Sequence, residues 1–166
     1  MHTTEGSGAP ADFNVFFETE FERLGKALYL LTGSRHKAED LAQEAMVRVF
    51  EHWDHVSATD SPTGYLYRTA LNLQRSRMRR LRVVLRHGPP QPSHPDPLER
   101  VDSWDEVVRL LQALPIGQRT AMVLVDWYGM SAGEAASAMA IEPSTVRVHL
   151  SRARASLRDR EAGGLD

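Results

Sequence analysis

The sequence predicts an all-α protein built as two small helical domains joined by a proline-rich linker. Apolar residues recur at three- and four-residue steps through most of the chain, and nowhere do they alternate with the two-residue period of a half-buried strand. Residues 86–103, RHGPPQPSHPDPLERVDS, carry five prolines and no sustained apolar period, which marks an extended, semi-stiff connection. The 166 residues leave each half near the lower limit for a core of its own. With 42% hydrophobic and 25% charged residues, the composition is that of an ordinary globular protein and argues against a disordered or fibrous one.

Residues 1–11 are small, polar and proline-containing, and are expected to be disordered. The first domain is expected over residues 12–86. Asp12 reads as the cap of an amphipathic helix whose stripe is Phe13, Phe16, Phe17, Phe21, Leu24, Leu28 and Leu31. Gly33 ends that helix, and Ser34 can cap the next. The second helix is predicted from about residue 37 through residue 53, with Leu41, Ala45, Val49 and Trp53 on one face. Its other side carries Glu39, Asp40, Gln43, Glu44, Arg48 and Glu51. A polar loop over residues 54–61 leads to Pro62, which suits the first turn of a third helix. That helix has Tyr65, Leu66, Ala70, Leu73 and Leu81 as apolar positions, and its arginines crowd the last turns. Beyond the linker, residues 87–103, a second domain is expected over residues 104–160. Val107, Val108, Leu110, Leu111 and Leu114 form a helix that stops at Pro115, and a further apolar helix over about residues 116–127 closes at Tyr128-Gly129. Residues 161–166 are expected to be a disordered tail.

The most informative stretch is residues 130–158, MSAGEAASAMAIEPSTVRVHLSRARASLR. Ser131 and Glu134 have capping-box spacing, and the small residues Ala135, Ala136 and Ala138 suit a closely packed helix. A tight turn over residues 140–143 follows, and Ser144 reads as the cap of a second helix containing Val146, Val148, Leu150, Ala153 and Leu157. Two short helices joined by such a turn make a helix-turn-helix, whose second helix enters the major groove and reads bases with its N-terminal residues. Here those are Ser144, Thr145, Arg147, Val148 and Ser151, with Arg152, Arg154 and Arg158 better placed for phosphates.

A net charge of −2 conceals an alternation that fits this reading. Residues 1–56 hold ten acids against five bases, whereas in residues 57–88 only Asp60 opposes seven arginines. Residues 89–142 are acidic again, with eight acids against three arginines, and the remainder carries five arginines against three acids. The basic residues of both positive segments are arginine, the side chain suited to forked phosphate and base contacts. Six arginines in residues 75–86 exceed what the dipole of a helix C-terminus calls for.

There are no cysteines, which removes disulfides, thiolate metal sites and cysteine nucleophiles together. No apolar run approaches the roughly 20 residues of a membrane span, and the first residues lack signal-peptide order, so a soluble, cytoplasmic protein without a membrane partner is expected. No nucleophile elbow, P-loop or metal-binding spacing appears. His52 and His55 flank Asp54 at a helix end, and His36, His87, His94 and His149 are isolated, His149 within reach of DNA. No enzyme activity, cofactor or metal is therefore expected.

Two longer segments resemble a known family. LQALPIGQRTAMVLVDWYGMSAGEAASAMAIEPSTVRVHLSRARASLR is similar to region 4 of bacterial sigma factors, and AEDLAQEAMVRVFEHWD with SPTGYLYRTALNLQRSRMRRLR is similar to their region 2. The chain has no room for regions 1.1 and 3, and so most resembles the extracytoplasmic-function (ECF) group of the sigma-70 superfamily. The aromatic-rich opening and the LTG turn are similar to its SigE-like actinobacterial members. The resemblance implies a factor that binds core RNA polymerase and directs promoter-specific initiation, reading a −35 and a −10 element. It implies that Asp40, Leu41, Gln43, Glu44, Arg48 and Phe50 meet the clamp helices of the largest polymerase subunit, and that the second domain meets the flap of the second. It further implies that Tyr65, Tyr67, Arg68, Asn72, Arg75, Arg77, Arg79 and Arg80 open and read the −10 element. Aromatic faces stacking on unpaired bases, at about 1–3 kcal/mol each, with arginines on the phosphates, suit that task. An anti-sigma factor is a further partner common in the group.

Three departures from the family pattern stand out. Tyr65 replaces a frequent tryptophan, the loop over residues 55–61 is short and small, and Ala140 stands at the usual glycine of the turn. A helix-turn-helix regulator acting on duplex DNA without being a polymerase subunit is the alternative. It gives no reason for the arginine and tyrosine helix, nor for the acidic face before it. A helical adaptor, favoured by the acidic first half, is a third class.

Overall fold

The computed structural model describes residues 11–88 and 103–164, and every regular element among them is helical. Of the start expected to be disordered, residues 1–10 lie outside the described residues, as do most of the linker and residues 165–166, while Ala11 already belongs to the first helix. The first half comprises α1 (Ala11–Thr32), α2 (Arg35–Glu51), α3 (Trp53–Ser57) and α4 (Pro62–Leu85). The second comprises α5 (Ser103–Gln112), α6 (Ile116–Met122) continued by a π-helical segment (Val123–Trp127), α7 (Ala132–Met139) and α8 (Pro143–Gly163).

Local chemistry sets most of the boundaries. Gly33 takes a φ of +70° and so turns the chain out of α1, where its amide still donates to the Tyr29 carbonyl at 2.8 Å. The Ser34 hydroxyl accepts from the Lys37 amide and caps α2. Ser61 does the same for the Gly64 amide at 2.9 Å, with Pro62 in the first turn of α4. Two predicted boundaries are corrected. Helix α2 stops at Glu51, and the residues expected as loop form α3, because a break at His52 swings Trp53 beneath α1. There the indole lies 5.4 Å from the ring of Phe13 and 5.1 Å from that of Phe16. At the C-terminus, α8 runs to Gly163, past the expected end of order.

Burial follows the helical stripes. Leu24, Leu28 and Leu31 of α1 meet Leu41, Ala45 and Val49 of α2, and Leu66 and Ala70 of α4 close the first core. Each fully buried leucine contributes about 1.5–3 kcal/mol through the water it sheds. In the second half, Leu124, Ala135, Val146, Leu150 and Ala153 form the corresponding centre. Helix α8 packs on α6 and α7, and the His149 ring sits so close to Gly117 that a Cβ there would lie 2.9 Å from it. Leu81, expected as an apolar core position, is 45% exposed, since α4 projects past the bundle from about that point.

The halves also pack on each other, α4 against α7 and α1 against α5, α6 and the π-helical segment. That segment widens the ladder by one residue: the Tyr128 amide donates to the Val123 carbonyl, five residues back, at 2.9 Å.

The turn between α7 and α8 is made at Ala140, which sits in the left-handed region at φ +56° and ψ +45°. The Ile141 amide reaches back to the Ala136 carbonyl at 3.1 Å, closing the helix end. A Cβ in this conformation costs roughly 1–2 kcal/mol, which accounts for the family's glycine at this position. Ser144 does not cap α8: Glu142 is the flanking residue, Pro143 occupies the first turn, and Ser144 is already helical. Replacing Ala140 by glycine should stabilise the protein by about 0.5–1 kcal/mol, after allowance for the freer unfolded chain. Thermal melts should register this as a rise of roughly 1–4 °C, and an unchanged or lower midpoint would contradict the strain.

Candidate nucleic-acid and polymerase interfaces

Three surfaces carry the residues singled out in the sequence. On α2, Asp40, Gln43, Val47 and Phe50 fall on one exposed stripe, three or four residues apart. Phe50 adjoins α1, its ring 4.9 Å from that of Phe13. Glu44 and Arg48 lie on the adjoining face, turned towards α4. The Glu44 carboxylate receives Arg48 at 3.3 Å and Arg77 of α4 at 2.5 Å. Leu41 is a correction. It is 2% exposed, because its position in the helical period turns it into the core between α1 and α2.

The second surface is the arginine-rich face of α4. Tyr65 is half-buried with the edge of the His55 ring against it, 6.2 Å between centroids, and Arg68 is exposed. Further along, Asn72, Arg75, Arg77, Arg79 and Arg80 line one cleft of about 520 Å³ together with Arg48 and Glu44. Ala140, from the turn of the second half, forms its far wall. Arg75 is held there: it donates to the Met139 carbonyl at 3.0 Å and to Asn72 at 2.6 Å. Arg79 and Arg80 are exposed and have no ion pair among the described residues. Tyr67 is the second correction. It is 2% exposed, its ring 4.4 Å from that of Tyr128, because the second half covers it.

The third surface is α8. Ser144, Thr145, Arg147, Val148, Ser151 and Arg152 are all exposed, and neither Arg147 nor Arg152 has an ion pair among the described residues. The expected capping box is formed, Ser131 accepting from the Glu134 amide at 3.1 Å and Glu134 from the Ser131 amide at 2.8 Å. Arg154 is engaged elsewhere, in a forked pair with Asp126 at 2.5 and 3.1 Å that raises its pKa. His149 turns away from the reading face and packs on Gly117. No cluster of three or more potential metal ligands occurs among the described residues.

Comparison with known proteins identifies the family. Residues 16–83 match Sigma-70 region 2, and residues 104–157 match Sigma-70 region 4. The chain is 30% identical over 154 residues to the RNA polymerase sigma-E factor of Streptomyces avermitilis, covering 92% of this chain and 86% of that protein. The chain belongs to the sigma-70 family of RNA polymerase sigma factors. The ECF RNA polymerase sigma factor SigE of Mycolicibacterium smegmatis is 29% identical, over 83% of this chain and 57% of that protein. In fold, the sigma factor is similar to the sigma factor RpoE of Bartonella quintana solved with the anti-sigma factor NepR. That likeness has a TM-score of 0.77 at 23% identity, over 90% of this chain and 96% of that one. CnrH, solved with the cytosolic domain of CnrY, gives a TM-score of 0.66 at 23% identity, over 91% and 88%. As a member of the family, this sigma factor acts with core RNA polymerase in promoter-directed initiation.

The residues that join the two halves of the sigma factor did not stand out in the sequence. Glu20 is 6% exposed and accepts from the Tyr128 hydroxyl at 2.6 Å and from Thr63 at 3.3 Å. Arg23 lies over the Tyr128 ring, 4.4 Å from its centroid. Gln112 donates to the carbonyls of Leu30 and Leu31 at 3.3 and 3.1 Å, and Arg119 reaches Leu31 at 2.7 Å. One signal was available: Glu20 falls four residues after Phe16 and four before Leu24, a lone acid on the apolar stripe of α1.

Burial is the main reason that the Tyr128 phenol is pushed up to about 12, with its bond to Glu20 adding to the effect. Burial, reinforced by Tyr128 and Glu20, moves Tyr67 upward too. Because both folded-state pKa values lie above the ordinary tyrosine value, the neutral phenols favour folding. Their contribution is complete below about pH 10 and is lost as the pH rises towards 12. Denaturant midpoints measured across that range should therefore fall, and should fall less steeply in Tyr128→Phe. Parallel curves for the two proteins would show that Tyr128 does not carry the effect.

Proposed function

We propose that this sigma factor reads its promoter through α4 and α8, meets polymerase through α2, and carries no catalytic chemistry of its own. The observation that carries the reading is the pairing of two unneutralised arginine surfaces: Arg79 and Arg80 on α4, and Arg147 and Arg152 on a capped helix-turn-helix. In this reading the exposed stripe Asp40, Gln43 and Phe50, flanked by Glu44 and Arg48, docks on the clamp helices of the largest polymerase subunit. Residues 104–160 are then the domain that meets the flap of the second, and residues 12–86 the domain that engages the −10 element.

On α4, Tyr65 supplies an aromatic face, and Arg68, Asn72, Arg75, Arg77, Arg79 and Arg80 hold the opened strand. Tyr67 joins them once the halves have parted. On α8, Ser144, Thr145, Arg147, Val148 and Ser151 read the −35 element in the major groove, and Arg152 and Arg158 bind phosphates. Arg154 adds to them if it exchanges Asp126 for phosphate. The cytoplasm is the compartment this function requires, and no helix among the described residues is long and apolar enough to cross a membrane.

An anti-sigma factor is a proposed further partner. The similar sigma factor RpoE was solved with an anti-sigma factor, and here an apolar groove lined by Leu71, Met78, Ile116 and Met139 runs beside the exposed end of α4.

Run-off transcription with purified core polymerase tests the assignment. Arg147→Ala should bring matched and mismatched −35 promoters closer together by about tenfold in relative activity, since a forked base contact is worth about 1–3 kcal/mol. The double variant Arg79→Ala with Arg80→Ala should instead lower permanganate-detected strand opening equally on both promoters. Equal losses on the two promoters after Arg147→Ala would remove base reading from that residue.

A further inference from the structure

The contacts between the halves fall on only part of the second half. Its residues in these contacts are Asp105, Gln112, Arg119, Tyr128 and the carbonyl of Met139, contributed by α5, α6, α7 and the residue after the π-helical segment. Helix α8 packs on α6 and α7 and leaves Ser144, Thr145, Arg147, Val148, Ser151 and Arg152 exposed. The same arrangement covers Tyr67 and ties Arg75 to the second half, so closure acts unequally on the two DNA-reading helices. It withdraws two residues from the strand-holding face of α4 and none from the exposed reading residues of α8.

Closure also brings new charge to α8. Ala140, the turn residue just ahead of this helix, forms a wall of the cleft that Arg79 and Arg80 line. The arginines of α4 thus share a cleft with the turn that leads into α8, whose N-terminal end is the one from which a helix-turn-helix reads bases.

We propose that the closed chain, without polymerase, is itself a sequence-reading binder of duplex DNA, with α8 in the major groove and Arg79 and Arg80 on the adjoining phosphates. The proposal rests on α8 being the −35 reader and extends it. Polymerase is not needed for duplex recognition, only for engagement of the opened strand. In the closed chain, duplex containing the −35 element is bound in preference to single strands, because an α-helix needs the major groove and Tyr67 is unavailable for stacking.

The absence of cysteine makes a direct test simple. Arg23 and Tyr128 lie against each other across the interface, and cysteines at both positions, joined by a short bis-maleimide, fix the full chain closed. The probe is a fluorescent duplex enriched by the uncross-linked chain from a random 30-base-pair pool, with its separated strands as controls. The cross-linked chain should hold the duplex within about twofold of the uncross-linked one and should no longer support run-off transcription with core polymerase. Arg147→Ala should weaken the selected duplex about tenfold relative to an unselected one, as expected for a lost base contact. Removing Arg79 and Arg80 should weaken both duplexes alike and lower the salt slope by about 0.9 for each lost phosphate contact.

A tenfold or greater loss of duplex affinity on cross-linking would overturn the proposal, as would failure to enrich any sequence. If Arg147→Ala alters −35 discrimination in transcription yet leaves duplex binding by the free chain unchanged, polymerase-free reading alone is wrong. If it alters neither, α8 is not the −35 reader and both readings fall.

Discussion

The guanidinium of Arg119 organises the junction on which the rest of the structure turns. It donates from Nε to the Leu111 carbonyl at 2.8 Å, and from Nη2 to those of Gln112 and Leu114 at 3.2 and 2.9 Å. From Nη1 it reaches the Leu31 carbonyl at 2.7 Å. Leu31 lies in the last turn of α1, and Leu111 and Gln112 lie in the last turn of α5, where carbonyls have no partner within their own helix. Helix C-termini are also negative poles, so a half-buried cation is welcome between two of them. Only the flat, five-donor fork of arginine can serve so many oxygens at once; a lysine would supply the charge without the geometry.

Fixing α5 and α6 against the end of α1 decides what else can touch. It aligns the π-helical segment beside α1, so that Tyr128 meets Glu20 and Tyr67, and it lays α7 on α4, where alanines permit close approach. An aromatic and a carboxylate buried together are tolerable because each satisfies the other: the phenol supplies the proton that the carboxylate needs for a partner. The arginine cleft between the halves follows from the same alignment. Its walls belong to different domains of the sequence and meet only because a carbonyl at the end of one helix is bonded to a side chain of another.

Which parts of this could be read from the sequence follows the range of the forces involved. Ser34, Pro62 and the Ser131–Glu134 box were legible because a cap acts within four residues. The helix-turn-helix was legible for the same reason, although its second helix starts from Glu142, two residues before the cap expected at Ser144, and the special position of Ala140 came from the likeness to a family. Trp53 was assigned to α2 because its spacing continues the stripe, whereas the attraction that breaks the helix comes from Phe13 and Phe16, far away in the sequence. Leu81 keeps the right period but lies beyond the neighbour it would pack on. Among the site residues, the exposed arginines of α4 and α8 could be found from charge alone. Leu41 and Tyr67 came from the likeness to a family, which gives a residue its position in a motif but not the side from which it is buried. Glu20 was visible as a misfit, but its partner Tyr128 lies 108 residues away, and no local rule could supply it.

The π-helical segment has a consequence for how this interface could arise and vary. A π-turn holds one residue more than the α-turn it replaces, so every residue after it is rotated by about 100° about the helix axis. Tyr128, Gly129 and the start of the turn into α7 all lie downstream of that rotation. A one-residue deletion within Val123–Trp127 would turn the segment back into α-helix and carry the phenol around to another side of the helix, away from Glu20. A change in chain length by a single codon, rather than any exchange of side chain, is thus the smallest inherited step that would unlatch the two halves.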